Sequence, residues 1–486
     1  MTVKNEQLLI IGGSDAGISA AIQAKESEPT LQVKIILADE YPNLSICGFP
    51  YAASREVPDW HSLSHRGLKE LEALGIEFDL NTLVNSIDAE NHLVSGVRSN
   101  GAVTYKYNKL IVATGAIPKV DAFQGFSFND TQENNSKIHV LHTMSDYLSL
   151  DTALNQAKNT AIIGAGYIGV EMAEAMARRK LNVTLYQRSN EILSTVENEF
   201  GSMAHQELTQ NRVTVLTDRT ILSVVSSDTS VKIKSTDLGN ITDERSFDTV
   251  LIVTGVQPNT QLLEAAGAKT GVAGAISVDE FMHTTLPDIW AAGDLVETDH
   301  RLLGKTYLPL GTTAHKQGRI AGLNVVGGQR RRFRGGIVGT QVIRVFNLVI
   351  ARTGLLPKEA ENAGFSTLSS TSTVFDHNSY FPNASKITIK LTADKESGLL
   401  LGAQLIGNYG SEIAKRNDIF ATAIFNKMTI NDLDDLDLSY SPPIASPWDL
   451  FNRQHKIGKL CSINLNKLIK ASNITKHHLC KNLEVV

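Results

Sequence analysis

Gln7-Leu8-Leu9-Ile10-Ile11-Gly12-Gly13-Ser14-Asp15-Ala16-Gly17 is followed by a helical pattern through Lys25 and by the apolar run Val33-Lys34-Ile35-Ile36-Leu37. The order is buried strand, glycine-rich turn, helix and second strand, the context in which a dinucleotide fingerprint has physical meaning. Glycines there allow the tight bend, backbone access to a pyrophosphate and close helix-to-strand packing. The anion then rests on the helix N-terminus, where free N–H groups and the helix dipole favour it. Gly12, Gly13 and Gly17 fit this pattern, while Ser14 replaces the middle glycine with a side chain still small enough for a diphosphate to approach. The acidic residue expected on the adenosine ribose is displaced by one step: Ala38 ends the strand, so Asp39 is the first candidate and Glu40 the next.

The pattern recurs. Thr160-Ala161-Ile162-Ile163 leads into Gly164-Ala165-Gly166-Tyr167-Ile168-Gly169, a helix, and Asn182-Val183-Thr184-Leu185-Tyr186. All three glycines are present, and two such units imply two nucleotide sites. The second strand ends in Gln187-Arg188 rather than a carboxylate. A carboxylate repels a 2′-phosphate and a guanidinium pairs with it, so NADPH is expected in preference to NADH. Arg178 and Arg179 either add to that field or simply complement the helix C-terminus. Three further strands end in small-residue turns where backbone can approach a ligand: Ala113-Thr114-Gly115, Val253-Thr254-Gly255 and Ala292-Gly293-Asp294. Beyond about Gly335 the fingerprints stop. Alternating stretches such as Lys386–Leu391 and Leu399–Ala403 predict an antiparallel sheet followed by helices.

The predicted fold class is α/β, with two Rossmann-like dinucleotide-binding domains and a C-terminal α+β domain. The expected boundaries are 1–118 with 252–328 for the first, discontinuous domain, 119–251 for the second, 332–455 for the last domain and 456–486 for a tail. A net charge of −5 gives no global basis for nucleic-acid binding, and Arg330-Arg331-Arg332 with Arg334 reads as a solvated junction. No apolar run approaches the roughly 18–20 residues of a membrane span, so a cytoplasmic protein is expected. Three cysteines, Cys47, Cys461 and Cys480, give neither a disulfide framework nor a zinc spacing, and no metal is expected. What remains is a lone thiol, Cys47, in Leu44-Ser45-Ile46-Cys47-Gly48-Phe49-Pro50-Tyr51, just after the first unit. A free cysteine is often only a small buried hydrophobe, yet a thiol beside a dinucleotide site points to a flavoprotein passing electrons from a pyridine nucleotide to sulfur.

The turns above occur in a fixed order with Gly255-Val256-Gln257-Pro258-Asn259, Lys316-Gln317-Gly318-Arg319 and Leu436-Asp437-Leu438-Ser439-Tyr440-Ser441-Pro442-Pro443. From about residue 7 to 455 the ensemble resembles the pyridine nucleotide-disulfide oxidoreductases, in particular the single-cysteine branch of coenzyme A-disulfide reductase, NAD(P)H oxidase, NADH peroxidase and persulfide reductase. That resemblance implies FAD for the first domain, on the first unit with Thr114, Gly115 and Asp294, NAD(P)H for the second, and dimerisation for the last, which makes a homodimer. It makes Cys47 the redox cysteine, lays Tyr167 against the flavin with Glu171 nearby, and brings Tyr440, with Tyr380 as a weaker candidate, from the partner subunit. It also places His315 where a substrate-facing histidine is expected.

Because no second cysteine stands a few residues after Cys47, the thiolate must cycle as a mixed disulfide, a sulfenic acid or a persulfide. Peroxidase and oxidase members carry a histidine in the first glycine-rich loop, and Asp15 stands there instead. Coenzyme A is disfavoured by Glu26 and Ile46 at positions expected to grip it, although Ser19, Gln23 and Asn43 remain candidate substrate contacts. The expected activity is therefore NAD(P)H-dependent reduction of a small disulfide, persulfide or polysulfide through Cys47. The alternatives are oxygen reduction through a cysteine sulfenate, a flavin-dependent acceptor reductase (quinone or protein) that does not use the cysteine, and a poorly turning-over redox-sensing flavoprotein.

Overall fold

The structure is a computed structural model and describes residues 3–120, 137–327 and 331–446; Cys461, Cys480, Arg330 and the predicted tail lie outside the described residues. The chain divides into two compact units, Met1–Leu193 with Leu208–Asp299 and Gly304–Gly336, and Ser194–Glu207 with His300–Leu303 and Ile337–Val486.

The first unit begins with β1 (Val3–Ile11), α1 (Asp15–Ser27), β2 (Val33–Ile36), α2 (Phe49–Ala53), α3 (Leu68–Ala73), β3 (Ile76–Asp79), β4 (Leu83–Asp88), β5 (Leu93–Arg98) and β6 (Gly101–Val112). It continues through β7 (Ala116–Pro118), β8 (Ile138–His139), α4 (Met144–Gln156), β9 (Asn159–Ile163), α5 (Tyr167–Arg178) and β10 (Asn182–Tyr186). After α6 (Asn198–Gln210), most of which belongs to the second unit, come β11 (Thr214–Leu216), β12 (Thr220–Ser226), β13 (Val231–Thr236), β14 (Thr242–Phe247), β15 (Thr249–Ile252), β16 (Val256–Pro258), α7 (Gln261–Ala265) and β17 (Ile289–Ala291). The hairpin of β18 (Thr298–His300) and β19 (Gly304–Thr306) precedes α8 (Gly311–Val326).

One sheet runs β3-β2-β1-β6-β5-β4, with β17 paired to β6; β1, β2, β3, β6 and β17 are mutually parallel. A second runs β11-β10-β9-β15-β8 and is wholly parallel. Leu8–Ile10, Ile35, Ile36, Leu110–Val112 and Ala161–Ile163 are all buried, the continuous apolar run required of parallel strands covered on both faces. Each fully buried Leu or Ile contributes about 1.5–3 kcal/mol, so these strands anchor the turns at their carboxyl ends.

Two links in this unit position the site. The connections into and out of the second sheet, β7 and β16, pair antiparallel. Thr114 Oγ1 donates to the Asn259 carbonyl at 2.9 Å and Thr254 Oγ1 donates to the Lys119 carbonyl at 2.6 Å, a reciprocal clasp across the two linkers. Helix α8 lies on α1 backbone to backbone: a Cβ at Gly318 would come within 2.2 Å of the Ala16 carbonyl oxygen, and one at Gly322 within 2.2 Å of that of Ala20. Only glycine at both turns of α8 permits that approach.

The second unit carries β20 (Gln341–Val345), β21 (Leu348–Gly354), α9 (Pro357–Asn362), β22 (Thr367–Phe375), β23 (Lys386–Asp394), β24 (Leu400–Asn408), α10 (Ile413–Phe425) and α11 (Ile430–Asp434). Its antiparallel sheet runs β20-β21-β24-β23-β22, and the core joins Ile387, Ile389, Leu391 and Leu405 to Phe420, Ile424 and Leu433 of the helices. The predicted antiparallel sheet followed by helices is what forms there, completing the expected α/β architecture. No helix among the described residues is long and apolar enough to cross a membrane.

Candidate active site

Both glycine-rich turns sit at carboxyl ends of parallel strands, where such sheets bind ligands. In the first, Gly12 has φ +105 and a Cβ there would lie 2.2 Å from the Ala113 carbonyl oxygen; one at Gly17 would lie 1.9 Å from that of Gly12. Helix α1 starts at Asp15 and runs to Ser27, two residues past the expected end. Ser14 is exposed at its N-cap and makes no capping hydrogen bond there. Gly166, its counterpart in the second turn, has nothing within 4 Å of an added Cβ, so this position tolerates a small side chain in either unit. Gly115 and Gly255, at φ +66 and +115, likewise border open space, whereas Gly293 packs on Ala16.

Asp39 accepts from the Tyr41 amide at 2.9 Å and is half-buried, with desolvation raising its pKa; Glu40 is exposed. Asp294 is enclosed more tightly. Burial, and then the charge of Asp15, push its pKa up to about 6. Next to it, Gln317 accepts from the Gly293 amide at 3.0 Å, and its Nε2 is buried with no partner among the described residues.

Cys47 follows from its neighbours. The Ser45 amide donates to the Leu63 carbonyl, and a Cβ at Gly48 would strike Leu63 Cδ2 at 2.4 Å, so the Cys-Gly turn is laid flat on that leucine. Phe49 is 1% exposed and stacks on Tyr147 with centroids 5.1 Å apart, and Pro50 stands in the first turn of α2. Tyr51 then donates to Glu171 Oε1 of α5 at 3.4 Å, tying the cysteine segment to the second nucleotide turn. Cys47 itself is exposed. Desolvation raises its thiol pKa, and the carboxylates of Asp15, Glu171 and Asp294 raise it further, while its own backbone amide works in the opposite sense.

His315 on α8 reaches α1. Its Nδ1 is 2.8 Å from Ser19 Oγ and its Nε2 is 3.4 Å from Asp15 Oδ1, and the ring of His65 lies edge-on at 6.5 Å. Ser19 is therefore engaged by a histidine, and Gln23 is only in reach of Ser27 at 3.4 Å. Asn43, expected among the substrate contacts, is 5% exposed and left-handed at φ 59, with its amide on the Gly13 carbonyl. It stitches the first turn to the cysteine segment through its backbone.

In the second turn a Cβ at Gly164 would lie 2.4 Å from the Val253 carbonyl oxygen, and one at Gly169 1.9 Å from that of Gly164. Tyr167 is the half-buried first residue of α5, with Glu171 one turn on. Gln187 folds back over the turn, accepting from the Ala165 amide at 3.3 Å and donating to Ser189 at 2.8 Å. Arg188 projects exposed beyond it. Arg178 pairs with Glu174 at 2.8 Å and Arg179 with Asp151 at 2.7 Å. Arg332 pairs with Glu280 at 3.0 Å. In the second unit Asn378 donates to the hydroxyls of both Tyr440 and Tyr380, at 3.2 and 3.3 Å, and both rings are largely exposed.

Sequence reasoning missed Tyr51, His65, Gln317 and Tyr307, whose hydroxyl donates to the Asp294 carbonyl at 2.9 Å. It also missed the pairing of Asp15 and Ser19 with His315. Two signals were legible: the four-residue spacing of Asp15 and Ser19 on one helix face, and Gly318-x-x-x-Gly322, which marks a close helix approach.

Comparison with known proteins agrees with this geometry. Residues 6–318 match the family described as pyridine nucleotide-disulphide oxidoreductase, and residues 340–450 match its dimerisation domain. The chain is 32% identical over 450 residues to an NAD(P)H sulfur oxidoreductase (CoA-dependent) of Pyrococcus furiosus, covering 92% of this chain and 98% of that protein. It is 27% identical to an NADH oxidase of Methanocaldococcus jannaschii, covering 90% and 95%. Among solved structures, an NAD-dependent persulfide reductase from A. fulgidus superposes with a TM-score of 0.86 at 30% identity, covering 96% of this chain and 84% of that one. With both nucleotide turns, the lone cysteine between them and the C-terminal sheet domain accounted for, this chain belongs to the pyridine nucleotide-disulphide oxidoreductase family.

Proposed function

We propose that the protein is an FAD-dependent NAD(P)H oxidoreductase that reduces a small disulfide, persulfide or polysulfide through Cys47. The observation that carries this reading is the placement of the cysteine segment, tied to the first glycine-rich turn by the Asn43 amide on the Gly13 carbonyl and to the helix of the second by Tyr51 on Glu171, with Cys47 exposed between the two ties. The family implies FAD, and the residues fit it: the open space at Gly115, the cradle of Gly12 and Gly17 and the N-terminus of α1 suit a diphosphate. Gly13 and Ser14 complete the turn, Asp39 or Glu40 would hold the ribose, and Thr114, Gly293 and Asp294 would line the rest. Bound FAD supplies a two-electron relay between nicotinamide and sulfur.

The chain's own groups orient and exchange protons. Gly164, Gly166 and Gly169 seat the nicotinamide cofactor, Tyr167 and Glu171 border its reactive end, and Gly255 leaves room beside the linker. Gln187 offers no negative charge at the strand end and Arg188 is exposed and unpaired among the described residues, which supports NADPH over NADH. Cys47 attacks one sulfur of the substrate; NAD(P)H supplies the two electrons that finally convert one S–S bond into two thiols. The dimerisation domain supports a homodimer in which Tyr440, with Tyr380 beside it, serves the partner's sulfur site.

The acceptor is a matter of charge. Around Cys47 the carboxylates favour a neutral or weakly charged sulfur compound, and Glu26 is exposed on α1. Coenzyme A disulfide belongs in the assay panel because the P. furiosus relative is named CoA-dependent. One observation favours a second reading: His315 brings an imidazole to the first turn, where Asp15 alone stood in the sequence, and so supports oxygen or peroxide reduction through a Cys47 sulfenate. Anaerobic and aerobic turnover of wild type and Cys47→Ser with NADPH and NADH tests both. Disulfide reduction should fall at least about a hundredfold in the variant; retention of full rate overturns the cysteine mechanism, and oxygen consumption exceeding disulfide reduction favours the second reading.

A further inference from the structure

Asp15 and Ser19 are four residues apart on α1 and so share a face, and the imidazole of His315 spans that gap. Its two ring nitrogens are both engaged, Nδ1 by Ser19 Oγ at 2.8 Å and Nε2 by Asp15 Oδ1 at 3.4 Å. The contact is built into the backbone. Gly318 and Gly322 hold α8 against α1, and Gly311 makes room for the carboxylate, since a Cβ there would lie 3.0 Å from Asp15 Oδ2. On the cysteine side, the Asn43 amide donates to the Gly13 carbonyl at 2.8 Å and so ties the turn from which Asp15 starts α1 to the segment that carries Cys47. The remaining charged groups on this part of α8, Lys316 and Arg319, are exposed.

We propose that Asp15 and His315 form a proton-donating pair for the sulfur that leaves at Cys47, with Asp15 as the group facing the reacting sulfurs and His315, held by Ser19, as the positioning residue that recharges it. Burial lifts the Asp15 pKa, while His315 and then His65 work in the opposite sense. The inference rests on the Cys47 reading. When the Cys47 thiolate attacks a dialkyl disulfide, a new S–S bond forms to Sγ and the old S–S bond breaks. The departing sulfur takes the electron pair, and one proton from the pair converts it to a free thiol. An alkyl thiolate is a poor leaving group and gains from that proton; a pyridyl thiolate departs without it.

The test uses the holoenzyme with two neutral probes, bis(hydroxyethyl) disulfide and dipyridyl disulfide, on wild type, Asp15→Asn, His315→Gln, Ser19→Ala and Cys47→Ser. Flavin content and absorbance establish that each variant is folded and loaded. Asp15→Asn and His315→Gln should lose about a hundredfold in kcat/KM on the alkyl disulfide and less than about threefold on the pyridyl one, with Ser19→Ala shifted the same way by a smaller factor. Equal losses on both probes, or none on either, overturn the proton-donating pair, because a merely structural role does not discriminate by leaving group. Cys47→Ser must abolish turnover of both; if it does not, it is the cysteine mechanism that fails, and the pair falls with it.

Discussion

A side chain at Gly17 in the first dinucleotide unit would meet the Gly12 carbonyl oxygen at 1.9 Å, and one at Gly169 in the second would meet that of Gly164 at the same 1.9 Å. The backbones obey one rule, but the side chains around them do not. Position two of the turn is Ser14 in one and Gly166 in the other, the first helical residue is Asp15 or Tyr167, and the second strand runs on to Asp39 or to Gln187-Arg188. Helix α1 is covered by the glycine face of α8, whereas α5 receives Tyr51 from the cysteine segment. The glycine geometry therefore specifies that a diphosphate-sized anion can be seated, and the neighbours specify which cofactor and which chemistry.

The hardest test of that equivalence is Gly17→Ala against Gly169→Ala. Each should cost about 4 kcal/mol or more, since a backbone carbonyl cannot move aside. Thermal melts should drop alike, while flavin is lost from the first variant and retained by the second; flavin loss from both would break the division of labour. Next in size is Asp294→Asn. With a folded pKa near 6 against an ordinary value of 3.8, the ionised carboxylate costs about 2–3 kcal/mol at pH 7.5. A raised carboxyl pKa means the fold binds more protons than the unfolded chain, so this penalty is full above about pH 6 and fades as pH falls toward 3.8. Flavin-stripped Asp294→Asn should therefore melt above wild type at pH 7.5, by a margin that shrinks by about half at pH 5. A margin that grows on acidification would show that the carboxyl is not held this way.

Smaller again, Arg188→Glu should reduce kcat/KM for NADPH about thirtyfold, roughly 2 kcal/mol, and that for NADH less than threefold. Equal losses would mean that the strand end does not read the 2′-phosphate. The smallest effects belong to Ser14→Gly and Gly166→Ser, for which less than about 0.5 kcal/mol in stability is expected because the added or removed atoms border open space. A larger loss of flavin from Ser14→Gly than of nucleotide binding from Gly166→Ser would give the serine a role of its own.

The parallel strands and both turns were legible because strand burial and glycine spacing are local signals; the antiparallel sheet at Lys386–Asp394 and Leu400–Asn408 was legible from alternation. Cys47 was legible from its run, and the structure explains that run: Gly48 for the approach to Leu63, Phe49 as the anchor on Tyr147, Tyr51 for Glu171. What sequence could not show is contact between residues hundreds of positions apart. Asp15 seemed only to mark a missing histidine until α8 brought His315 beside it. Thr114, read as a ligand contact, has its hydroxyl on the Asn259 carbonyl, and Asn43, read as a substrate contact, is turned inward by a left-handed backbone. In each case the residue type was noticed and its partner was not.

The clasp between β7 and β16 has a consequence for how such proteins diversify. Because the chain passes into and out of the second sheet through adjacent, hydrogen-bonded strands, the entry to that sheet and the exit from it form one covalent doorway. Exchanging the strands and helices beyond that doorway leaves Cys47, Asp15 and His315 on the host side, while Glu171 and Tyr147, the partners of Tyr51 and Phe49, travel and must be matched. On the proposed reading, the strand end that selects the electron donor and the segment that carries the sulfur lie on opposite sides of that doorway, so a new donor is acquired at the cost of re-fitting those two contacts.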